Sequence, residues 1–370
     1  MSQKQYLVGR PNVGDQDRFL GRVRRILDAR WFTNDGEMVR EFESRIVELT
    51  GAKHAIAMCN ATVAMSLVAQ ALELKGEVIV PSYTFVATAH AFSQVGVTPV
   101  FADIDSRTHN IDPASVARLV NRNTCAIVGV HLWGRPCEIG ALQALAGQRG
   151  VPLLLDAAHA LGCGWQGRMI GQFGRCEVFS FHATKFVNSF EGGMVTTHDD
   201  ELADKLRLMR NFGFAGLDHV VSAGTNAKMT EVCAAMGLTS LESMPEFVAK
   251  NRENHQMLKR SLAARSDWRV LDFDESQPSN YQYLVVELAG HHTSEHRDQT
   301  LDALRQQGFM ARKYFWPCCH RMPPYSGDSR HIPTSLASTE HVADRVIVLP
   351  TGQDVGPAEI ARMADILCDR

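Results

Sequence analysis

The chain has 370 residues, 45% hydrophobic and 21% charged, with 38 Lys+Arg against 41 Asp+Glu for a formal net charge of −3. This is the composition of an ordinary globular protein, long enough for one large or two smaller domains with a sizeable core. It argues against a dedicated nucleic-acid binder, which would carry a basic footprint, and no apolar stretch approaches the roughly 20 residues of a membrane span.

Gly14–Ala29 and Gly36–Thr50 read as amphipathic helices. From about residue 50, short apolar runs alternate with helical patterns. Strands are expected at Ala55–Met58, Glu77–Pro81, Pro99–Ala102, Cys125–His131, Pro152–Asp156, Glu177–Phe181 and Gly193–Thr197, and helices at Thr62–Leu74, Pro113–Val120 and Ile139–Gln148. Fully apolar strands alternating with helices predict an α/β fold. Its sheet would be mostly parallel, covered on both faces, with ligands at the carboxyl ends of the strands. The pattern changes after Gly237. A long helical region at Leu238–Ala264, interrupted near Pro245, is followed by a strand at Tyr281–Glu287, a helix at Ser294–Gln307 and a strand at Phe309–Tyr314. A Pro-rich loop (Pro317–Pro333), a short helix (Glu340–Asp344), a strand (Val346–Leu349) and a closing helix (Pro357–Cys368) complete the chain. The expected division lies near residue 240, with residues 1–240 as a large domain and 241–370 as a smaller C-terminal α+β domain. Met1 to Arg10 holds no apolar core ahead of a cleavage site, so no secretory signal is visible. The nine cysteines include no Cys-x-x-Cys pair. They read as reduced, small apolar side chains of a cytoplasmic protein.

Chemistry concentrates at strand ends. Asp156 closes the run Val151-Pro-Leu-Leu-Leu-Asp, where a carboxylate is costly unless it has a partner; capping of a following helix is the plainer explanation. Lys185 follows the strand at Glu177–Phe181, and a lysine there is ordinarily a solvated loop residue. The run Phe190-Glu-Gly-Gly-Met-Val then brings two glycines to the same end, where the backbone can turn tightly or approach a ligand. An acid and a lysine on successive strands suit pyridoxal 5'-phosphate, which takes a lysine amine and an acidic partner for its ring nitrogen. Asn60-Ala61-Thr62 opens a helix directly after a strand, so its free N–H groups and the helix dipole favour a phosphate. Ordinary capping by Asn60 is compatible with that role.

These segments resemble the fold-type I pyridoxal-phosphate enzymes, and within them the DegT/StrS-type sugar-nucleotide aminotransferases. The resemblance runs nearly end to end. It is carried by Trp31-Phe-Thr-Asn-Asp-Gly, Asn60-Ala-Thr-Val-Ala, Pro81-Ser-Tyr-Thr-Phe-Val-Ala-Thr-Ala, Val130-His-Leu-Trp-Gly-Arg-Pro, Asp156-Ala-Ala-His, Ser180-Phe-His-Ala-Thr-Lys and Gly224-Thr-Asn-Ala-Lys-Met-Thr-Glu. It implies a seven-stranded, mostly parallel sheet with a smaller C-terminal domain. Lys185 would be the Schiff-base lysine and proton shuttle, and Asp156 the partner of the ring nitrogen. Phe85 would stack on the cofactor ring, and His159, at a position often Gln in the family, would lie near its phenolic oxygen. Ala61, Thr62 and Ser180 would form the phosphate site, and Asn226 would reach the phosphate of a neighbouring subunit, making the active unit a homodimer. Ala61 stands where the family often has Gly, and Lys228 where Arg is usual.

The run Arg312-Lys-Tyr-Phe-Trp-Pro-Cys-Cys-His-Arg-Met-Pro-Pro-Tyr325 looks like the substrate loop of the 4-keto-6-deoxy sugar 4-aminotransferases. By that resemblance Trp31, Lys228, Arg312, Tyr314, His320 and Tyr325 are candidate substrate contacts; Tyr314 and Tyr325 read equally well as packing aromatics. The implied reaction moves an amino group from L-glutamate to C4 of dTDP-4-keto-6-deoxy-D-glucose, the cofactor passing through pyridoxamine 5'-phosphate. Alternatives are amination of a C3-keto-sugar or a keto-cyclitol, and a sugar dehydratase of the same family. The last replaces the lysine by His, so Lys185 argues against it. A non-catalytic sensor would be expected to lose Lys185 or Asp156. Adjacent Cys318 and Cys319 do not have the spacing of a metal site.

Overall fold

A computed structural model describes residues 4–263, 267–290 and 293–369. The chain runs β1 (Tyr6–Leu7), α1 (Gln16–Ala29), α2 (Glu37–Thr50), β2 (His54–Met58), α3 (Ala61–Ala71), β3 (Glu77–Pro81), α4 (Ala87–Ser93), β4 (Thr98–Ala102), α5 (Pro113–Leu119), β5 (Thr124–Val130), α6 (Ile139–Arg149) and β6 (Leu153–Asp156). A small hairpin, β7 (Gly164–Trp165) and β8 (Arg168–Met169), precedes β9 (Cys176–Ser180), β10 (Gly193–Thr197) and α7 (Asp200–Met209). Then come α8 (Glu231–Glu242), α9 (Met244–Leu262), β11 (Trp268–Val270), β12 (Leu284–Leu288), α10 (Ser294–Gln306), β13 (Phe309–Met310), α11 (Ala337–Ala343), β14 (Val346–Leu349) and α12 (Pro357–Cys368).

A seven-stranded sheet in the order β2-β10-β9-β6-β5-β3-β4 forms the centre. Only β10 runs against its neighbours. Its strands are apolar because helices cover both faces, and two apolar clusters, one on each side, fill the space between. With β10 reversed, the carboxyl ends of β2, β6 and β9 and the start of β10 share one edge of the sheet. A three-stranded antiparallel sheet, β11-β12-β14, packs its own apolar cluster against α9, α10 and α12. No helix among the described residues is long and apolar enough to cross a membrane.

All seven expected strands of the central sheet form, each within a residue or so of its expected limits. Other elements differ for local reasons. The helical region expected from Leu238, interrupted near Pro245, is two helices that break at Ser243, with Pro245 in the first turn of α9; its expected end, Ala264, lies outside the described residues. The first of the two begins seven residues earlier than expected, at Glu231, capped by the Thr230 hydroxyl. Gly237 therefore lies inside α8 rather than ahead of it. A Cβ there would stand 2.8 Å from the Phe42 ring, so glycine is what lets α2 approach α8. The strand expected from Tyr281 starts at Leu284. Tyr281 has φ +51° and the Asn280 side chain accepts the Gln282 N–H at 3.0 Å, a local turn that delays extension. The strand expected over Phe309–Tyr314 stops at Met310, where Ala311 N–H turns back to the Phe309 carbonyl; Arg312 makes one isolated bridge to Val348. Helices α4 and α7 and the short strands β1 and β11 had no counterpart in the sequence reading. The Pro-rich loop folds onto the central sheet: Cys319 N–H donates to the Ser82 carbonyl at 3.0 Å, and Cys319 and Tyr325 join one of its two apolar clusters.

Two glycine substitutions separate close packing from helix propensity. Gly237→Ala is expected to destabilise by about 1–3 kcal/mol through overpacking against Phe42. Gly147→Ala, exposed in α6 with nothing within 4 Å of the new Cβ, is expected to stabilise by about 0.5–1 kcal/mol. Urea denaturation checks both, and equal effects of one sign would contradict the packing assignment.

Candidate active site

The shared strand edge opens into a cavity of about 520 Å³. Asp156, the last residue of β6, is 5% exposed at its floor. Its Oδ2 accepts from Thr88 Oγ1 at 2.8 Å and its Oδ1 from the Ala158 N–H at 3.1 Å. Burial pushes the carboxyl above its ordinary value, opposed by these two bonds and by the charges of Lys185 and His131. Two donors do not fully offset the desolvation of the carboxylate.

Lys185 lies in the turn after β9, where its N–H donates to the His182 carbonyl at 2.8 Å. One side of the residue faces the cavity and the rest is surrounded by protein. Burial lowers its amine to about 8, with Asp156 pulling the other way. At neutral pH such an amine holds an appreciable uncharged fraction and can act as nucleophile or base. His159 is buried; its Nε2 is 3.1 Å from the Tyr283 hydroxyl and its Nδ1 accepts from the Trp133 N–H at 3.3 Å. Burial first, and then the Lys185 charge, hold it well below the usual imidazole value, so the ring is neutral.

Ala61 and Thr62 occupy the first two positions of α3, which have no intrahelical acceptor for their N–H groups, while the Asn60 side chain caps Val63 N–H at 2.9 Å. Capping and an anion-binding helix start therefore coexist. Gly193 explains the close seating of this helix: a Cβ there would stand 2.6 Å from Ala61 N. The glycine pair thus serves close approach rather than a left-handed turn. Ser180 at the end of β9 also lines the cavity, as does Phe85, a residue 58% exposed. Tyr314 also lines the cavity, with Phe315 stacked on it at 5.1 Å between ring centroids.

Eight of the expected residues line this one cavity: Ala61, Thr62, Phe85, Asp156, His159, Ser180, Lys185 and Tyr314. Six do not. Asn226 is exposed beyond its rim, beside Ala227, whose carbonyl accepts from Cys59 N–H ahead of α3. Trp31 is exposed and donates to the Asn34 carbonyl. The Lys228 amine lies 4.7 Å from the Phe212 ring centroid, and the Arg312 guanidinium 4.8 Å from that of Tyr314. His320 and Tyr325 are interior residues. His320 Nδ1 is 2.7 Å from Ser82 Oγ and its Nε2 3.1 Å from Glu340 Oε1. Tyr325, 1% exposed, packs edge-on to Phe101 with its hydroxyl 2.8 Å from His90 Nδ1 and 3.0 Å from Ser93 Oγ. Neither lines the cavity: within this chain both fasten the Pro-rich loop, His320 to Ser82 just after β3 and Tyr325 to α4, which for Tyr325 is the packing reading. The thiols of Cys318 and Cys319 are buried, and burial pushes that of Cys319 up to about 12. Thr88, Tyr283 and Glu191 also line the cavity and were not singled out in the sequence. Thr88 stands within a quoted motif, but Tyr283 sits in an apolar run where an aromatic reads as core.

Residues 14–368 match the DegT/DnrJ/EryC1/StrS aminotransferase family. The chain belongs to that family. Among its relatives is the dTDP-4-amino-4,6-dideoxy-D-glucose transaminase of Escherichia coli, 31% identical over 374 residues and covering 99% of both chains. The GDP-perosamine synthase of Caulobacter vibrioides is 34% identical over 343 residues, 88% of this chain and 92% of the relative. Among solved structures, DesI in the presence of its TDP-sugar product is 48% identical with a TM-score of 0.94, covering 99% of this chain and 93% of that one. Helicobacter pylori PseC, an aminotransferase involved in pseudoaminic acid biosynthesis, is 27% identical with a TM-score of 0.91 over 99% of both. As a member of this family the protein is an aminotransferase.

The buried carboxyl gives a test of the site's electrostatics. Because its folded value is raised, the folded protein without cofactor holds the Asp156 proton more tightly than the unfolded chain. The stability this contributes is present at low pH and lost as pH rises through the raised value. Asp156→Asn is therefore expected to raise the melting temperature of cofactor-free protein at pH 7, with a gain that shrinks as the pH falls. A loss of stability at pH 7 would show that the carboxylate is already fully compensated.

Proposed function

We propose that this aminotransferase carries an amino group from L-glutamate to a nucleotide-linked keto-sugar, with C4 of dTDP-4-keto-6-deoxy-D-glucose as acceptor and pyridoxal 5'-phosphate as cofactor. The observation that carries the reading is the pairing of Asp156 and Lys185 across a cavity that also holds a helix start with unpaired N–H groups. The donor set fits the cofactor. The under-compensated Asp156 suits a protonated ring nitrogen, the low-set Lys185 amine suits an aldehyde, α3 suits a phosphate, and the exposed Phe85 ring gains cover from a stacked aromatic. When bound, pyridoxal phosphate supplies the carbonyl that takes up amino groups and the ring that withdraws electrons from the neighbouring carbon.

The chain's own residues then divide the work. Asp156 keeps a proton on the ring nitrogen because an adjacent anion favours the charged form. Lys185 would take the proton from the donor's α-carbon as base and give it up as acid to the cofactor's former aldehyde carbon, with its amine poised near the working pH. The N–H groups of Ala61 and Thr62 and the Ser180 hydroxyl hold the phosphate. Phe85 and Tyr314 shield the reacting groups from water.

The choice of a dTDP sugar rests on the similarity to DesI and to the E. coli transaminase. The relatives that make GDP-perosamine favour a second reading in which the base is guanine. The proposed active unit is a homodimer in which Asn226 and Lys228 complete the partner's cavity. Supporting it, the segment just before Asn226 exposes Phe212, Leu217, Val220 and Val221. In this reading residues 1–240 carry the cofactor and 241–370 cap the sugar, with Arg312 and Lys228 facing the diphosphate.

Mass spectrometry of a reaction with L-glutamate and a panel of dTDP- and GDP-linked keto-sugars tests the reading. The dTDP-4-keto-6-deoxy sugar is expected to become the amine, and Lys185→Ala is expected to lower turnover at least about a thousandfold. Repeated turnover by Lys185→Ala, or amination of no nucleotide sugar in the panel, would overturn it.

A further inference from the structure

Tyr283 closes the inner wall of the cavity just ahead of β12. Its ring packs against Trp133 and His159, at 5.3 and 4.5 Å between centroids, and phenylalanine would pack equally well. The hydroxyl calls for another explanation. It lies 3.1 Å from His159 Nε2 and 3.4 Å from Lys185 Nζ, the latter at the long end of hydrogen-bond range. Catalytic contacts in ligand-free proteins are often long and tighten when the site is filled.

The direction of these bonds follows from the backbone. The Trp133 N–H donates to His159 Nδ1, so that nitrogen carries no proton, and a neutral ring must carry its proton on Nε2. Nε2–H therefore donates to the Tyr283 oxygen. The acceptor left for the hydroxyl's own proton is the lone pair of an uncharged Lys185 amine. A protonated Lys185 has no lone pair: it would itself donate to the Tyr283 oxygen and leave the hydroxyl proton without a protein acceptor. The other titratable groups that line the cavity with the amine, besides His159, are Asp156 from the end of β6, Tyr314 from the 312–318 segment, and His182 and Glu191 from its own β9–β10 loop. Of these, Asp156 favours the charged amine. Tyr283 and Asp156 thus act on Lys185 in opposite senses.

We infer that Tyr283 is a positioning residue: held by the Trp133 backbone through His159, its hydroxyl donates to the uncharged Lys185 amine and aims that amine into the cavity. The inference rests on the reading of Lys185 as the cofactor lysine and proton carrier. Tyr283 has no step of its own; it sets the rotamer of Lys185 and the share of amine ready to react.

The test reads the ionisation of one lysine. Cofactor-free protein is labelled with trace acetic anhydride across a pH series, and the Lys185 peptide is quantified by mass spectrometry. In wild type the labelling midpoint is expected near 8. Tyr283→Phe is expected to raise it by about one unit, so that labelling of Lys185 at pH 7 falls about tenfold. His159→Gln, whose amide can accept from Trp133 and donate to Tyr283, is expected to keep the wild-type midpoint, and His159→Leu to shift it as Tyr283→Phe does. A midpoint in Tyr283→Phe equal to or below that of wild type overturns the inference, and so does a His159→Gln midpoint that matches His159→Leu. Borohydride reduction of wild type loaded with pyridoxal phosphate, followed by peptide mapping, tests the underlying reading separately. A pyridoxyl group on residue 185 upholds that reading even if the Tyr283 effect fails, and its absence there removes the reading itself.

Discussion

The site depends on two opposite charges drawn out of water at the ends of neighbouring strands. Asp156 closes β6, Lys185 follows β9, and each is perturbed first by burial and then in the opposite sense by the other. Desolvation raises the acid and lowers the base, which brings both groups toward the range where protons move at neutral pH. Mutual attraction alone does not offset the cost of burying the two charges. A cavity left in this condition gains binding energy from any ligand that brings a cationic ring nitrogen to one group and a carbonyl to the other.

The rest of the architecture serves that arrangement. The reversed strand β10 places Gly193 against the start of α3, so the anion-binding end of that helix opens on the same cavity as the charge pair. Thr88, on the short helix α4, reaches Asp156, and α4 also supplies His90 and Ser93 to hold Tyr325 of the Pro-rich loop. Just ahead of that loop, Tyr314 and Phe315 line the cavity. One helix thus ties the acid at the floor to the aromatic wall above it. A shift of α4 would be felt at both places.

Much of this was legible in the sequence because the signals are local. Asp156 ends an unbroken apolar run and Lys185 follows another, so each announces a strand end. Asn60 before a small-residue helix announces an N-terminus. What stayed hidden depends on partners distant in sequence. Gly237 reads as a helix boundary unless Phe42, nearly 200 residues earlier, is known to press on it. His320, in a loop crowded with prolines, reads as a substrate contact, and Tyr325 as either a contact or a packing aromatic. Ser82, His90 and Ser93 bury them, and no periodicity in the loop signals that. Tyr283 reads as one more aromatic in an apolar strand, because a hydroxyl that meets His159 and Lys185 looks no different in sequence from one that meets water. The resemblance to the aminotransferases supplied the roles of Phe85, His159 and Asn226, which residue chemistry alone left open.

The central claim is that Asp156 holds a proton on the cofactor's ring nitrogen. The most direct measurement is the nitrogen-15 NMR shift of ring-labelled pyridoxal phosphate bound to the wild-type protein and to Asp156→Ala at pH 8. The account predicts a protonated nitrogen in the wild type and an unprotonated one in the variant. An unprotonated nitrogen in the wild type, or the same shift in both proteins, would contradict it.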